Sequence, residues 1–443
     1  MTQYSPATIA ALPKIEQETI SLCQELIRIP SVNFGEGKGD EKAVAEYVVS
    51  KLAEVGIESE LIETGPNRFN VAAKIAGSDP ERPGLVLHGH LDVVPANADD
   101  WSVDPFGGAI KDDYIWGRGA VDMKDMNAMI LAVVREWART GYKPPRNILL
   151  LFFADEEAGS VFGSRWLVKN RPELFHGYTE AVSEVGGFSV TMTGGHRLYF
   201  VQGAEKGIQW MKLTAKGDAG HGSFINNNNA VTKLSAAIAR IGSHIWPQLE
   251  TKTGAKFWSK VAELAGEKYD PSNVRPLLKH IGGAARMMGA TIQNTANPTM
   301  LEAGYKANVI PGTASAVVDG RFLPAFEEDL VKTIRELAGD EIDVELLVRD
   351  IALEVDFAGP IADAMVRALK EFDPEAIPVP YVMSGGTDNK ALSALGIVGY
   401  GFSPLRLPED LDFFALFHGV DERVPIDGLL FGVKVLKSFL EQA

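Results

Sequence analysis

Leu85-Val86-Leu87-His88-Gly89-His90-Leu91-Asp92-Val93-Val94-Pro95 is the stretch on which both the fold and the candidate site depend. Its first three residues follow Pro83-Gly84 and form an apolar run typical of a buried strand. The stretch then turns polar, and in open α/β sheets ligands bind where strands end and loops begin. Residues two apart on an extended chain point the same way, so His90 and Asp92 can act together. We interpret His90 as a metal ligand and Asp92 as the carboxylate that orients its imidazole.

The composition of the 443-residue chain is that of a globular protein, with 46% hydrophobic and 23% charged residues. This length predicts two or three domains. The formal net charge of −16 argues against a nucleic-acid partner, which would require a basic face. The single cysteine, Cys23, excludes an internal disulfide and a thiolate metal site. Residues 1–11 lack a signal-peptide pattern and no apolar run reaches a membrane span of about 20 residues, so we expect a cytoplasmic protein without membrane contact.

Further polar groups follow other predicted strands. Asp155-Glu156-Glu157 comes directly after the apolar run 146–153, where acids are costly unless they bind something. Glu184 follows a second, shorter apolar run. Histidine and carboxylate donors without cysteine suit zinc, cobalt or manganese, and the excess of carboxylates suggests a second metal ion. The polar groups at strand ends that form this predicted site are His90, Asp122, Glu156, Glu157, Glu184 and His418.

The order of the predicted elements divides the chain into two domains. Helices and strands up to about residue 200 predict a layered α/β domain, to which the chain returns after residue 352. Between them, the order strand-helix-strand-strand-helix-strand is that of a ferredoxin-like domain, with residues 242–289 as a helical insertion. We therefore expect a discontinuous first domain, residues 1–200 and 353–443, and a second domain, residues 201–352.

Eight short motifs occur in the order found in a known enzyme family. They are HGHLDVVP, GRGAVDMKD, DEEAGS, SEVGG, AGHGS, ANVIPG, SGGTD and HGVDE. Because it carries these motifs in this order, the chain resembles the co-catalytic di-zinc metallopeptidases. That family includes aminoacylase, glutamate carboxypeptidase, succinyl-diaminopimelate desuccinylase and several dipeptidases. The resemblance implies a zinc-exopeptidase-like α/β catalytic domain with a mixed central sheet flanked by helices. It also implies an inserted ferredoxin-like α+β lid domain through which two copies form a homodimer.

The resemblance implies a metal-binding role for five of these residues. Asp122 would bridge two divalent metal ions, with zinc as the first choice and cobalt or manganese as alternatives. His90 and Glu184 would complete one metal site. Glu157 and His418 would complete the other.

Catalytic and substrate-binding roles follow from the same resemblance. Glu156 resembles the general base, which would activate a metal-bridging hydroxide for attack on an amide or peptide bond next to a free carboxylate. Asp92 resembles the residue that orients His90. His221 resembles the imidazole that stabilises the oxyanion, in many members from the partner subunit. The groups expected to receive the substrate carboxylate are Asn308, Arg321 and the backbone of Gly386 and Thr387.

The substrate stays open among N-acyl amino acids, dipeptides and peptide C-termini. Glu184 stands where several aminoacylase-like and carboxypeptidase-like members carry aspartate. In having glutamate at this position, the chain is closer to the desuccinylase. Trp101, Pro105 and Phe106 are closer to the peptidase and aminoacylase branch, and Lys390 stands where arginine is frequent. A succinyl-diaminopimelate desuccinylase-like deacylase is therefore the alternative. A non-catalytic metal-binding relative is an alternative of a different class.

Two other interpretations fit the sequence poorly. A metallo-β-lactamase-like site is suggested by His88-x-His90-x-Asp92, but that motif needs a histidine where Val93 stands. Gly117 and Gly119 lack the GxGxxG spacing and the Walker lysine of a nucleotide loop. The histidines expected to be structural are His88, His176, His196, His244 and His280.

Overall fold

Residues 84–90 form a strand at the centre of a large mixed sheet, as the apolar run predicts. In a computed structural model that describes residues 3–443, every residue of this strand is buried. Its two neighbours, residues 148–153 and 178–183, both run parallel to it. Met1 and Thr2, which begin the expected first domain, lie outside the described residues.

The strands differ widely in length, from two residues to ten. Their bounds are β1 Ser59–Gly65, β2 Arg68–Ile75, β3 Gly84–His90, β4 Ala109–Lys111, β5 Tyr114–Trp116, β6 Ile148–Phe153, β7 Tyr178–Ser183, β8 Phe188–Thr191, β9 Arg197–Glu205, β10 Gly207–Lys216, β11 Gly220–His221, β12 Thr295–Ala303, β13 Val309–Ile310, β14 Thr313–Phe322, β15 Ile342–Asp350, β16 Leu353–Glu354, β17 Ile377–Met383, β18 Val398–Gly401 and β19 Arg423–Pro425.

The helices occur singly or in short runs between groups of strands. Their bounds are α1 Pro6–Ala10, α2 Lys14–Ile27, α3 Lys42–Ala53, α4 Lys124–Thr140, α5 Ser164–Asn170, α6 Ala230–Gly242, α7 Lys252–Ala265, α8 Ala285–Ala290, α9 Glu327–Ala338, α10 Pro360–Phe372, α11 Asn389–Ser393 and α12 Ile426–Gln442. Among residues 3–443, no helix combines the length and the apolar composition needed to cross a membrane.

The large sheet has the strand order β1-β2-β6-β3-β7-β18-β9-β16, and β8 and β17 also pair with β9. Parallel pairs occur in its centre, whereas β1–β2 and β2–β6 at one edge are antiparallel. Side chains alternate along β6, so Leu150 and Phe152 join the core under α2, α4 and α12, while Leu149 and Leu151 face α5 and α11. The expected α/β class, with a mixed central sheet flanked by helices, is confirmed.

A second sheet has a core of its own. It contains β12-β14-β10-β15 in that order, and all of its pairs are antiparallel. Helices α6 and α9 cover one face, where Leu234 and Leu330 pack with Val318. This is the strand order that the ferredoxin-like prediction requires. Below we call the body built on this second core the lid, and the body built on the large sheet the large domain.

The helical insertion lies in the lid part of the sequence but packs on the large domain. Phe257 of α7 meets the ring of Phe200 of β9 edge-on, with 5.0 Å between ring centroids. Trp258 and Met288 are buried in the same core as the helices of the large domain. The sequence pattern predicted helices here, but the pattern alone does not say which core they join.

We expect this packing to contribute measurably to the free energy of unfolding. Phe257→Ala removes a fully buried ring between the insertion and β9, which should lower the free energy of unfolding by about 3–5 kcal/mol. Ile245→Ala, at a side chain that is 86% exposed, is the matched control and should change it by less than about 0.5 kcal/mol. Guanidinium unfolding followed by tryptophan fluorescence compares the two variants. Equal effects would contradict the attachment of the insertion to the large domain.

Candidate metal centre

The predicted ligands meet at one edge of the large sheet, where three parallel strands end. His90 is the last residue of β3. Glu156 and Glu157 follow β6, and Glu184 follows β7. Because parallel strands have their carboxyl ends at the same edge, distant parts of the chain deliver these side chains to one place.

Asp122 lies between two pairs of side chains. Its Oδ1 is 3.1 Å from Nε2 of His90, and its Oδ2 is 3.2 Å from Nε2 of His418. His90 Nε2 is also 3.3 Å from Oε2 of Glu184. His418 Nε2 is 3.0 Å from Oε2 of Glu157. The structure therefore brings the five expected ligands together, with one carboxylate shared between two imidazole–carboxylate pairs.

Negative charge is in excess at this centre. Burial raises the pKa of Glu184 to about 8. Burial, followed by the charge of Glu184, raises the pKa of Glu156 well above its usual range. Hydrogen bonds to Asp122 and Glu157 raise the pKa of His418 to about 10. These shifts share one cause, which is that several acids occupy a poorly solvated place with few positive groups.

The donor set fits divalent metal ions. Ligand atoms of His90, Glu156 and Glu184 lie within 4.8 Å of one another, as do those of His90, Asp122 and Glu157. Oε1 of Glu157 is buried and has no hydrogen-bond partner among the described residues. Imidazole and carboxylate donors suit zinc, cobalt and manganese. Cations at the centre would give this oxygen a partner and offset the excess of negative charge.

The backbone fixes the ring of His90 in one tautomer. Nδ1 of His90 donates a hydrogen bond to the backbone carbonyl of Asp92, at 2.9 Å. A carbonyl can only accept, so Nδ1 carries the proton and the neutral ring leaves its lone pair on Nε2. Nε2 is the atom that faces Asp122 and Glu184. His90 is thus prepared to bind a cation through Nε2.

The carboxylate of Asp92 does more than support the imidazole. It lies 3.6 Å from Nδ1 of His90, farther away than the backbone carbonyl of the same residue. Its two oxygens accept hydrogen bonds from the backbone N–H groups of Glu156 and Glu157, each at 3.1 Å. Asp92 therefore ties the end of β3 to the turn that carries the candidate base and a candidate ligand.

A buried polar network that no sequence motif predicts lies behind this turn. Nδ2 of Asn33 donates to Asp92 at 2.8 Å and to Asp155 at 3.1 Å. Arg68 lies 3.2 Å from Asp155 and forms a buried ion pair with Glu41. The acidic run after β6 drew attention to Asp155, but Asn33, Arg68 and Glu41 carry no motif, and only the fold brings them here.

Glu422 holds the loop that presents Asp122. Its carboxylate accepts backbone N–H groups from Gly119, Val121 and Asp122, at 3.0, 2.8 and 3.2 Å. Nη1 of Arg118 donates to it at 2.8 Å. Glu422 belongs to the HGVDE motif, yet sequence analysis gave it no role because its partners lie some 300 positions away in the chain.

A cavity of about 530 Å³ opens in front of the centre. Its lining includes five charged or metal-ligating residues of the centre, which are Asp122, Glu156, Glu157, Glu184 and His418. Residues of the insertion and of the loop before β19 also line it, among them the charged Arg286 and Asp412. The apolar side chains in the lining are Val185, Met287, Ala290, Met383, Phe414, Ala415 and Phe417.

The other predicted residues have different surroundings. His221 is exposed on the lid, where its Nδ1 lies 2.8 Å from Oγ of Ser223, and Asn308 is exposed as well. Arg321 makes two hydrogen bonds to the carboxylate of Asp319 within β14. None of these three described residues is part of the cavity wall.

The predicted carboxylate-binding loop reaches the cavity through only one of its two residues. Gly386 lines the cavity. The backbone N–H and hydroxyl of Thr387 both donate to the buried carboxylate of Glu205, at 3.0 and 2.6 Å. In this structure Thr387 is therefore engaged within the protein.

Comparisons with known proteins identify the family and the fold. The profile of the family described as "Peptidase family M20/M25/M40" matches residues 86–442. Aminoacylase-1 of Pongo abelii is 29% identical over 439 residues, covering 97% of this chain and 96% of that protein. The M20 family metallo-carboxypeptidase Sso-CP2 of Sulfolobus solfataricus has a TM-score of 0.72 at 19% identity, covering 96% of this chain and 99% of that chain. The Bacillus subtilis YXEP protein, described as a dinuclear metal binding peptidase from the M20 family, has a TM-score of 0.60 at 13% identity, covering 96% of this chain and 98% of that chain.

We expect Glu422→Gln to weaken metal binding. The substitution places an amide NH₂ group among backbone N–H donors, which should displace the Asp122 loop and lower metal affinity about 10- to 100-fold. Zinc competition against a chromogenic chelator measures this affinity. Asp421→Asn, at the adjacent residue that contacts Ser102, is the control and should keep the wild-type affinity. Unchanged affinity in Glu422→Gln would contradict the positioning role of Glu422.

Proposed function

The chain belongs to peptidase family M20/M25/M40, and from this premise we propose that it hydrolyses the amide bond of N-acyl amino acids or short peptides whose amine product carries a free carboxylate. Hydrolysis of an amide or peptide bond with the help of metal ions is the activity of the family, and this chain is such an enzyme. The observation that carries the proposal is the position of Asp122 between two imidazole–carboxylate pairs, with Glu156 beside them.

The metal-binding part of the proposal concerns two divalent ions. Asp122 would contact both, His90 and Glu184 would hold one, and Glu157 and His418 would hold the other. Zinc is the proposed metal, with cobalt and manganese as alternatives that the same donors accept. When bound, such ions supply Lewis acidity, which polarises a carbonyl and makes water nucleophilic near neutral pH.

Glu156 is the proposed proton carrier. Its backbone N–H is held by Asp92, and its side chain lies beside His90 and Glu184 at the cavity wall. A carboxylate there accepts the proton of the attacking water and then delivers it to the nitrogen of the leaving amine. Burial raises the pKa of Glu156, which suits a group that must gain and lose a proton near neutral pH.

The proposed substrate is an N-acyl amino acid with an apolar side chain. The apolar part of the cavity lining is built mainly from methionine, alanine and phenylalanine side chains, which suit an apolar acyl group or side chain. The similarity to aminoacylase-1 over almost the whole chain supports the same choice. The cytoplasmic location expected from the sequence stays a prediction.

The lid would complete the site, in a homodimer. We propose that His221 stabilises the oxyanion in the partner's cavity, because within its own chain it is exposed and lies outside the cavity wall. Asn308, Arg321, Gly386 and Thr387 are the proposed contacts of the substrate carboxylate. For Arg321 and Thr387 this role requires exchange of their present partners, Asp319 and Glu205.

We expect Glu156→Gln to abolish turnover and keep the metal. Glutamine has nearly the same shape but cannot take a proton, so kcat should fall about 100- to 10,000-fold while both metal ions remain bound. Mass-spectrometric metal analysis and ninhydrin detection of the released amine measure the two quantities. The substrate panel contains N-acetyl-L-methionine, N-succinyl-diaminopimelate and a dipeptide. Glu173→Gln, at an exposed acid of the same domain, is the control. Wild-type turnover in Glu156→Gln would contradict the assigned base.

Mixed dimers test the trans role of His221. A dimer with Glu156→Gln in one subunit and His221→Ala in the other keeps one intact site if His221 acts across the interface. Two different affinity tags allow such dimers to be isolated, and we expect about half of the wild-type activity. If His221 acts within its own subunit, both sites are damaged and activity should stay at the level of the single variants. That outcome, or a monomer in sedimentation, would reject the trans assignment.

A further inference from the structure

Three consecutive buried residues end the predicted carboxylate-binding loop, and each of them binds a different part of the large domain. Thr387 donates twice to the carboxylate of Glu205, the last residue of β9. Oδ1 of Asn389 lies 3.0 Å from Nε2 of His88 in β3. Asp388, between them, binds the segment that follows β6. The loop is therefore attached to three separate strands or strand ends.

The carboxylate of Asp388 connects this loop to the turn that carries the proposed base. Its Oδ1 accepts hydrogen bonds from the hydroxyl of Ser160, at 2.6 Å, and from the hydroxyl of Ser164, the first residue of α5. The backbone N–H of Ser160 donates to the carbonyl of Asp155 at 2.6 Å, which closes the turn around Glu156. Asp388 thus joins two parts of the site that are 228 positions apart in the sequence.

The two connected parts meet the cavity at different places. Ser384, Gly385 and Gly386 line it on the loop, and Glu156 lines it at the metal centre. In an N-acyl α-amino acid, one carbon atom separates the carboxylate from the nitrogen that must receive a proton, whereas a β-amino acid has two. Since a misplacement of about 1 Å can lower a rate about 100-fold, a fixed distance between Glu156 and the loop can discriminate between these substrates.

We propose that Asp388 is a positioning residue that fixes the separation between Glu156 and the carboxylate-binding loop, and that this separation selects amides of α-amino acids over those of β-amino acids. The inference rests on the proposed function and keeps Gly386 and Thr387 as contacts of the substrate carboxylate. Asp388 is not one of the described residues that line the cavity, so it acts through the loop and the turn. Its hydrogen bonds do not use the donors of Thr387, so they can hold the loop while Thr387 exchanges Glu205 for the substrate.

Two substrates that differ by one methylene group test the inference. The probes are N-acetyl-L-methionine and N-acetyl-L-β-homomethionine, cleaved by the zinc-loaded enzyme. Wild-type enzyme should prefer the α-amino acid by about 100-fold in kcat/KM. Asp388→Ala should lower this preference about tenfold while its zinc content stays at the wild-type level, because the loop is no longer held at a fixed distance from Glu156. A loss of folded enzyme alone would lower both rates by the same factor and leave their ratio unchanged.

Further variants separate the hydrogen bonds of Asp388 from general damage to the fold. Asp388→Asn retains an oxygen that can accept both hydroxyls, so it should keep most of the preference. Ser164→Ala removes one of the two donors and should lower the preference about 2- to 10-fold, which decides the question if Asp388→Ala does not fold. Ser393→Ala is the matched control, because it removes a hydroxyl of α11 that donates to the carbonyl of Lys390 at 2.8 Å, and it should leave the ratio unchanged.

The ratio of the two rates decides the outcome. An unchanged ratio in Asp388→Ala or in Ser164→Ala would overturn the inference, and so would an equal change in Ser393→Ala or a loss in Asp388→Asn as large as that in Asp388→Ala. Equal cleavage of both probes by wild-type enzyme would overturn it while the proposed function stands. If zinc-loaded wild-type enzyme cleaves neither these probes nor any substrate of the panel, the proposed function fails and the inference fails with it.

Discussion

The excess of carboxylates around Asp122 is the constraint on which the surrounding structure depends. Arginine side chains lie nearby, but each binds an acid behind the centre: Arg68 pairs with Glu41, and Arg118 pairs with Glu422. Further support comes from backbone N–H groups, which stabilise carboxylates without bringing a net charge. Since buried charges require a partner, the positive charge at the centre itself is left to metal ions. The protein thus supplies the positions of the ligand atoms and an excess of negative charge, and the metal ions supply the positive charge that offsets it.

The candidate base and the candidate ligands share a single support. The carbonyl of Asp92 fixes the ring of His90, and the carboxylate of Asp92 holds the N–H groups of Glu156 and Glu157. Adjacent residues on a short turn point in different directions, so Glu157 can face His418 while Glu156 faces the cavity. The distance between the proton carrier and the metal ligands is therefore set by backbone hydrogen bonds to one residue. Such backbone contacts lose less conformational freedom than long side chains would.

The sequence predicted the elements that have a short-range signal. The run 85–87 is a central strand, and the convergence of His90, Glu184 and their partners follows from parallel strands that end together. The sequence did not predict contacts between distant segments of the chain. Glu422 accepts hydrogen bonds from N–H groups some 300 residues away in the sequence. No periodicity of the sequence indicates such a hydrogen bond. The insertion was recognised as helical, yet an amphipathic pattern says only that one face is covered and does not say by which core.

The side chains that the proposed reaction needs are divided between two bodies, each with a hydrophobic core of its own. The candidate metal ligands and the cavity belong to the large domain, whereas His221 and Arg321 belong to the lid. The chain passes between these bodies near residues 206 and 352 and again on either side of the insertion, near residues 250 and 293. None of the described residues of the lid lines the cavity, so the roles proposed for His221 and Arg321 require a lid to approach it. Contacts made only on closure can be reserved for the transition state, which is where binding energy raises kcat. Under the proposed function, the large domain therefore holds the metal ions and the lid acts on the oxyanion.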